Sequence, residues 1–198
     1  MLPRRTLLLT LFAATALPAA GHAADAASAS ALVDEIGRAL VAIVNGPDSV
    51  EKKQAALQAL IDRSVDVDAV AQFCLGRFWR TATPAQQAAY LQLFHRALLR
   101  NITGKLGEYR GVKLTLGRTV PRDPDVGVAM VVERPNNPPA DVEWIVRTSG
   151  GAPQVIDLVA EGTSLRLTQR NDYASFITHN GGSIDALLNA MRRQDGAS

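Results

Sequence analysis

Histidine and cysteine are scarce in this chain, which removes several classes of chemistry at once. Only three histidines occur in 198 residues. His22 belongs to the N-terminal leader, and neither His95 nor His179 has a second His or Cys at metal-ligand spacing, so no metal site is expected and both read as structural or solvated. The single cysteine, Cys74, leaves no partner for an internal disulfide. Set between Phe73 and Leu75, it reads as a small buried apolar residue rather than a reactive thiol. There is no G-x-S-x-G elbow, since Gly162-Thr163-Ser164 lacks the second glycine. Gly150-Gly151 and Gly181-Gly182 stand without the rest of any phosphate loop. No basic patch or RNA-type aromatic motif is present, which argues against nucleic acid as a partner. Past the N-terminus, no apolar run is long enough to span a bilayer.

What is present begins with an export signal. Arg4 and Arg5 form a basic start, Leu7 to Leu17 form a short apolar run ended by Pro18, and Gly21-His22-Ala23 supplies small residues where a signal peptidase reads. Residues 1–23 are therefore expected to be a cleaved signal peptide. The Arg-Arg pair also permits a twin-arginine route. Those two arginines account for the excess of 21 basic over 19 acidic residues, so the exported chain is charge-balanced. Residues 24–198 are expected to form one domain, large enough to bury a core without staples.

Residues 24–31 read as a loose Ala/Ser-rich leader. Leu32, Ile36, Leu40 and Ile43 or Val44 then recur at helical spacing, stopped by Asn45-Gly46-Pro47. Asp48 or Ser49 caps a second helix, and Asp66 or Asp68 opens a short third one that Gly76 ends. Thr83-Pro84-Ala85-Gln86 is a capping box with proline at the first helical position, predicting a long helix to about Glu108. The period then changes to two. Segments 112–120, 126–134, 141–149 and 153–161 read as strands joined by Pro-, Asn- and Gly-containing links short enough for an antiparallel meander. Helical spacing returns from Ser164, breaks at Gly181-Gly182, and resumes behind Ser183. The expectation is an α+β fold: a four-stranded antiparallel sheet with helices on one face.

The positive signal is apolar. One sheet face is expected to carry Leu114, Leu116, Val128, Met130, Val132, Trp144 and Val146, with Phe73, Leu91, Phe94, Leu98 and Ile102 facing it, and Phe176 on a later helix. Such a set forms either a packed core or the wall of a pocket for an apolar ligand, and periodicity does not separate the two. Among acids, Asp157 inside an apolar strand is the one serious candidate for catalysis.

Residues 65–111 contain Asp66 and Asp68 at a helix start, Leu75-Gly76-Arg77, Trp79-Arg80, Ala82-Thr83-Pro84, Gln86, Phe94 and Tyr109-Arg110-Gly111. Residues 156–177 contain Asp157, Glu161-Gly162, Ser164-Leu165 and Arg170. In this order, with strands between, the two blocks resemble the toluene-tolerance or MlaC family, the periplasmic phospholipid-binding component of the Mla lipid-transport pathway. The resemblance implies a carrier without catalytic groups or cofactor, its acyl chains held in an apolar cavity between sheet and helices. It also implies two partners: the lipid-binding subunit of an inner-membrane ABC transporter and an outer-membrane lipoprotein complex. Arg77 and Arg80 would sit at the rim, pairing with Asp66, Asp68 or Glu108, or reaching a phosphate or acidic partner. Departures from the family pattern are Pro153 in place of a tryptophan, Ile102 in place of an aromatic, and the proline-rich loop 134–139. They leave a hopanoid open as an alternative cargo to phospholipid. Two further readings remain: a small enzyme using Asp157, and an adaptor with a solid core.

Overall fold

The computed structural model describes residues 19–196. Of the expected signal peptide, the basic start, the apolar run and Pro18 lie outside the described residues. Six α-helices and five strands follow in the order α1 (Ala19–Asn45), α2 (Val50–Ser64), α3 (Val67–Leu75), α4 (Pro84–Thr103), β1 (Lys113–Arg122), β2 (Asp125–Glu133), β3 (Ala140–Arg147), β4 (Gln154–Ala160), β5 (Thr163–Ser164), α5 (Leu165–His179) and α6 (Ile184–Asp195). Short 3₁₀ turns occupy Gly76–Arg80 and Leu106–Tyr109. Among the described residues no helix is long and apolar enough to cross a membrane.

The sheet is an antiparallel meander in the order β1-β2-β3-β4-β5. It has five strands where four were expected. The fifth is only two residues long, too short to show an alternation, and it turns back onto β4 through Glu161-Gly162. Register aligns Leu116 with Met130, Val128 with Trp144, and Val146 with Val155, which gathers the predicted apolar residues on one face. The opposite face is crossed by the Arg122–Glu143 pair (2.9 and 2.7 Å), which lies over Gly127, where a Cβ would collide with the Glu143 carboxylate. β1 carries a bulge between Leu116 and Thr119.

Local chemistry explains most helix boundaries. Ser49 accepts from the Lys52 N–H, Asp66 from Ala69, Ser164 from Leu167 and Ser183 from Ala186. The predicted capping box is complete: Thr83 accepts from the Gln86 N–H, and the Gln86 side chain accepts from the Thr83 N–H. Gly76 ends α3 with φ of +59°, a conformation that favours glycine. Two expectations need correction. Residues 24–31 are not a loose leader but part of α1, where Ala29 is fully buried; alanine is the strongest helix former, and its small stripe escapes a search for large apolar residues. α4 stops at Thr103 instead of Glu108, because β-branched Ile102 and Thr103 followed by Gly104 weaken its last turn.

The helix laid across the apolar face of the sheet is α1, which packs on β1, β2 and β3 as well as on α2. Val33 and Ile36 of α1 join Leu57 and Leu60 of α2 and Val126, Val128, Met130 and Val146 of the sheet in one core. α4 packs chiefly on α6, α3 and α2. Its Tyr90, fully buried, donates its hydroxyl to the Ala71 carbonyl at 2.9 Å and meets Trp79, Phe94 and Tyr173 ring to ring.

Candidate functional site

Two open grooves flank this core. The first, about 420 Å³, runs between α1 and the β1–β2 edge of the sheet. Gly37, Val41, Val112, Leu114, Leu116 and Met130 form its apolar lining, and Asp34, Arg38 and Lys113 stand at its margin. At the end of α1, the Asn45 side chain accepts from the Gly111 N–H at 2.7 Å and donates to the Val112 carbonyl, beside the groove-lining Val112, at 3.4 Å. The second, about 570 Å³, lies between α4, α5 and α6 and is lined by residues including Ala97, Arg100, Tyr173, Phe176, Leu187 and Met191.

The predicted site residues divide among these places. Leu114, Leu116 and Met130 line the first groove, and Phe176 lines the second. Val128, Val146 and Phe94 are packed into the core, with Leu91, Leu98 and Trp144 half-buried against it. Val132, half-buried, pairs with Leu114 in the sheet. The indole Nε1 of Trp144 is enclosed without a hydrogen-bond partner. Ile102 is exposed at the end of α4. Phe73 does not face the sheet as expected; the Arg166 and Arg170 guanidinium groups of α5 lie 4.4 and 5.0 Å from its ring centroid. The helix facing the sheet is α1, not α4, so Gly37 and Val41 were missed. A glycine adds nothing to an apolar pattern, and Val41 lies off the stripe of Leu32, Ile36, Leu40 and Val44.

The arginine pairing also differs from expectation. Arg77 lies over the Phe78 ring at 4.9 Å and donates to Thr178, while Asp66 takes Arg147 as its partner. Burial pushes the Asp66 carboxyl up, but the Ala69 N–H and the Arg147 guanidinium outweigh it and hold the group below its ordinary value. Arg80 is exposed, and neither Arg77 nor Arg80 lines either groove. Trp79 packs the 3₁₀ turn against α4: its carbonyl accepts from the Gln87 side chain at 2.8 Å and its ring meets Tyr90.

Asp157 is buried and fully engaged. Its carboxylate accepts from the Leu158 N–H (2.8 Å), the Ser164 hydroxyl (2.5 Å) and the Arg166 N–H (3.1 Å), with Arg166 Nε at 3.4 Å. It ties β4 to the start of α5. Beside it Cys74 is buried, its thiol pushed up to about 12 by burial and then by the Asp157 charge. No cluster of His, Cys, Asp and Glu able to hold a metal occurs among the described residues.

The family described as "MlaC protein" matches residues 34–193, from α1 to α6. The chain belongs to the MlaC family. Its relatives include a toluene tolerance protein of Pseudomonas putida, ttg2D, 25% identical over 138 residues. That match takes in 67% of this chain and 63% of the Pseudomonas protein, so the chain spans less than two thirds of that relative. The fold also matches the solved structure of a phospholipid-binding protein from Ralstonia solanacearum in complex with a phospholipid. The TM-score is 0.73 at 25% identity, covering 85% of this chain and 97% of the Ralstonia protein. In this MlaC-family chain the α+β fold expected from the sequence is thus matched in a solved relative, with five strands in the sheet where four were expected.

Proposed function

We propose that this MlaC-family protein is a lipid carrier, holding phospholipid acyl chains against the apolar face of its sheet. The observation that carries this is the match, along nearly the whole Ralstonia protein, to a fold solved with phospholipid bound. The sheet face under α1 supplies the matching chemistry: Leu114, Leu116 and Met130 border a groove within the range of ~300–1,000 Å³ usual for small-molecule sites. Each acyl methylene taken out of water contributes about 0.8 kcal/mol. A diacyl lipid can therefore offset the separation of side chains that now close the core, and a carrier must be able to reverse that separation. The engagement of Asp157, whose carboxylate accepts from its strand neighbour Leu158 and from Ser164 and Arg166 at the start of α5, supports binding rather than catalysis.

Export through a signal peptide over residues 1–23, work in the periplasm, and exchange of lipid with an inner-membrane ABC transporter subunit and an outer-membrane lipoprotein complex belong to the same reading. Mass spectrometry of an organic extract of residues 24–198, purified after export to a periplasm, tests it. Phospholipid at one equivalent is the expected result. A stoichiometric hopanoid would change the cargo, and a clean extract under gentle handling would refute the carrier.

A further inference from the structure

We infer that Asn180-Gly181, at the corner between α5 and α6, is a site of self-modification, at which the Gly181 backbone nitrogen attacks the Asn180 carboxamide and converts the residue to aspartate or isoaspartate. The reaction is independent of any cargo and takes up only water. The Gly181 nitrogen gives up its proton and bonds to Asn180 Cγ; the Cγ–Nδ2 bond breaks, and Nδ2 leaves with that proton as ammonia. The cyclic imide left behind then adds one water. Opening at Cγ gives aspartate, and opening at the main-chain carbonyl carbon gives isoaspartate, whose backbone runs through Cγ. Nothing is oxidised or reduced. Of seven asparagines in the chain, Asn45 and Asn180 are the two that precede a glycine, which lacks the side chain that would crowd the attacking nitrogen.

The fold treats these two dipeptides differently. α5 ends in a left-handed turn: Gly181 and Gly182 have φ of +66° and +79°, and the Gly182 N–H donates to the Ile177 carbonyl at 2.9 Å. Ending the helix this way favours a glycine directly after Asn180. The Gly181 N–H makes no hydrogen bond among the described residues, and a Cβ on Gly181 would meet nothing within 4 Å. Asn180 and Gly181 are both exposed. One bond restrains the carboxamide, from Nδ2 to the Phe176 carbonyl at 2.8 Å. At Asn45 three bonds oppose the same reaction. Oδ1 accepts from the Gly111 N–H, Nδ2 donates to the Val112 carbonyl, and the Gly46 N–H that would attack donates to the Ala42 carbonyl at 2.9 Å. The product loosens the corner. A carboxylate at position 180 has no N–H for the Phe176 carbonyl, and it sets a negative charge at the C-terminal end of α5, where the helix dipole disfavours one. Isoaspartate also lengthens the backbone by one carbon just before Ser183, the cap of α6, whose Leu187, Leu188 and Met191 belong to the core.

The test is peptide mapping by mass spectrometry of the purified protein after incubation at physiological temperature and neutral pH, folded in one arm and unfolded in urea in the other. In the folded arm, aspartate and isoaspartate are expected at Asn180 roughly ten to thirty times faster than at Asn45, where two more hydrogen bonds must open. In urea the two sites should react at similar rates. Asn180→Gln keeps the carboxamide on a longer side chain that does not close the same ring, and it should stop the growth of an acidic isoform on isoelectric focusing. Asn180→Asp should unfold at a lower urea concentration than the wild type, with an unchanged m-value. Equal rates at Asn45 and Asn180 in the folded arm would overturn the site, as would an Asn180 that reacts in urea but not when folded. An acidic isoform growing as fast in Asn180→Gln as in the wild type would overturn it too. An unchanged urea midpoint for Asn180→Asp would overturn the loosening of the corner.

Discussion

Replacing Asp157 separates a structural carboxylate from a catalytic one. Its side chain is 5% exposed, so solvent screens little of what it holds. Asp157→Asn keeps an oxygen for the Leu158 and Arg166 N–H groups, but it turns an NH₂ toward Ser164 Oγ, which already accepts from the Leu167 N–H. The Arg166 guanidinium also loses its counter-charge. Hydrogen bonds to a charged group contribute about 1.5–3 kcal/mol against about 1 for neutral ones, so the net loss expected for Asn is ~1–2 kcal/mol. Asp157→Ala strands all three donors and leaves Arg166 partly buried without its acid, which by the cost of breaking a buried pair amounts to ~3–5 kcal/mol. Urea unfolding followed by circular dichroism measures both, with an unchanged m-value required for the comparison. Both variants should retain lipid in proportion to the fraction folded. If Asp157→Ala costs under ~1 kcal/mol, the bonds described here do not join β4 to α5 in solution. If Asp157→Asn remains stable and lipid-loaded yet abolishes turnover of an ester substrate, the carboxylate is catalytic and the carrier reading is incomplete.

Two further outcomes are expected. Stability should fall at alkaline pH: Cys74, whose ordinary value is 9.0, is raised to about 12 by burial, so its protonated form favours the fold fully below pH 9 and this contribution disappears as pH rises toward 12. Burial raises the Tyr90 and Tyr173 phenols as well and adds in the same direction, while thiol reagents should label native Cys74 far more slowly than the unfolded chain; a flat stability profile from pH 8 to 11 would refute this. Asn45→Ala removes both bonds between α1 and Gly111–Val112, and at about 1 kcal/mol for each bond should cost roughly 1–2 kcal/mol. Hydrogen exchange at the C-terminal turn of α1 should rise with it, and unchanged exchange there would show that α1 is held by packing alone.

Much of the fold is legible along the chain because its signals are local. The capping box at Thr83, the turn residues between strands and the switch from helical to alternating spacing each act within a few residues, so each survives without tertiary information. β5 escaped because two residues carry no period. The early part of α1 is silent in the pattern because it buries Ala29 through small residues, which leave no stripe of large apolar side chains. The site was harder to read for a different reason. Alternation placed Leu116, Met130, Val128 and Val146 on one face, but which of them border a groove and which are sealed depends on the helix that lies above. That helix is α1, distant in sequence from the strands it covers, and its Gly37, close above Met130, adds nothing to an apolar pattern. Asp66 and Arg77 stand out in the sequence, yet their partners, Arg147 and Thr178, lie far along the chain, where spacing is silent.

β1 is the edge strand of the sheet, and it also walls the first groove. One flank of its backbone has no neighbouring strand, a geometry that invites another chain to dock. The bulge after Leu116, Pro121 near the far end, and the charges of Lys113 and Arg118 discourage such pairing. The same position makes the groove inexpensive to widen. α1 meets β1 and β2 through side chains, so parting them breaks no rung of the inter-strand ladder; among the described residues, what must yield besides apolar contact is the Asn45 clasp. A carrier of the kind proposed, which must take up and release its cargo reversibly, would part α1 from this border without unzipping a strand.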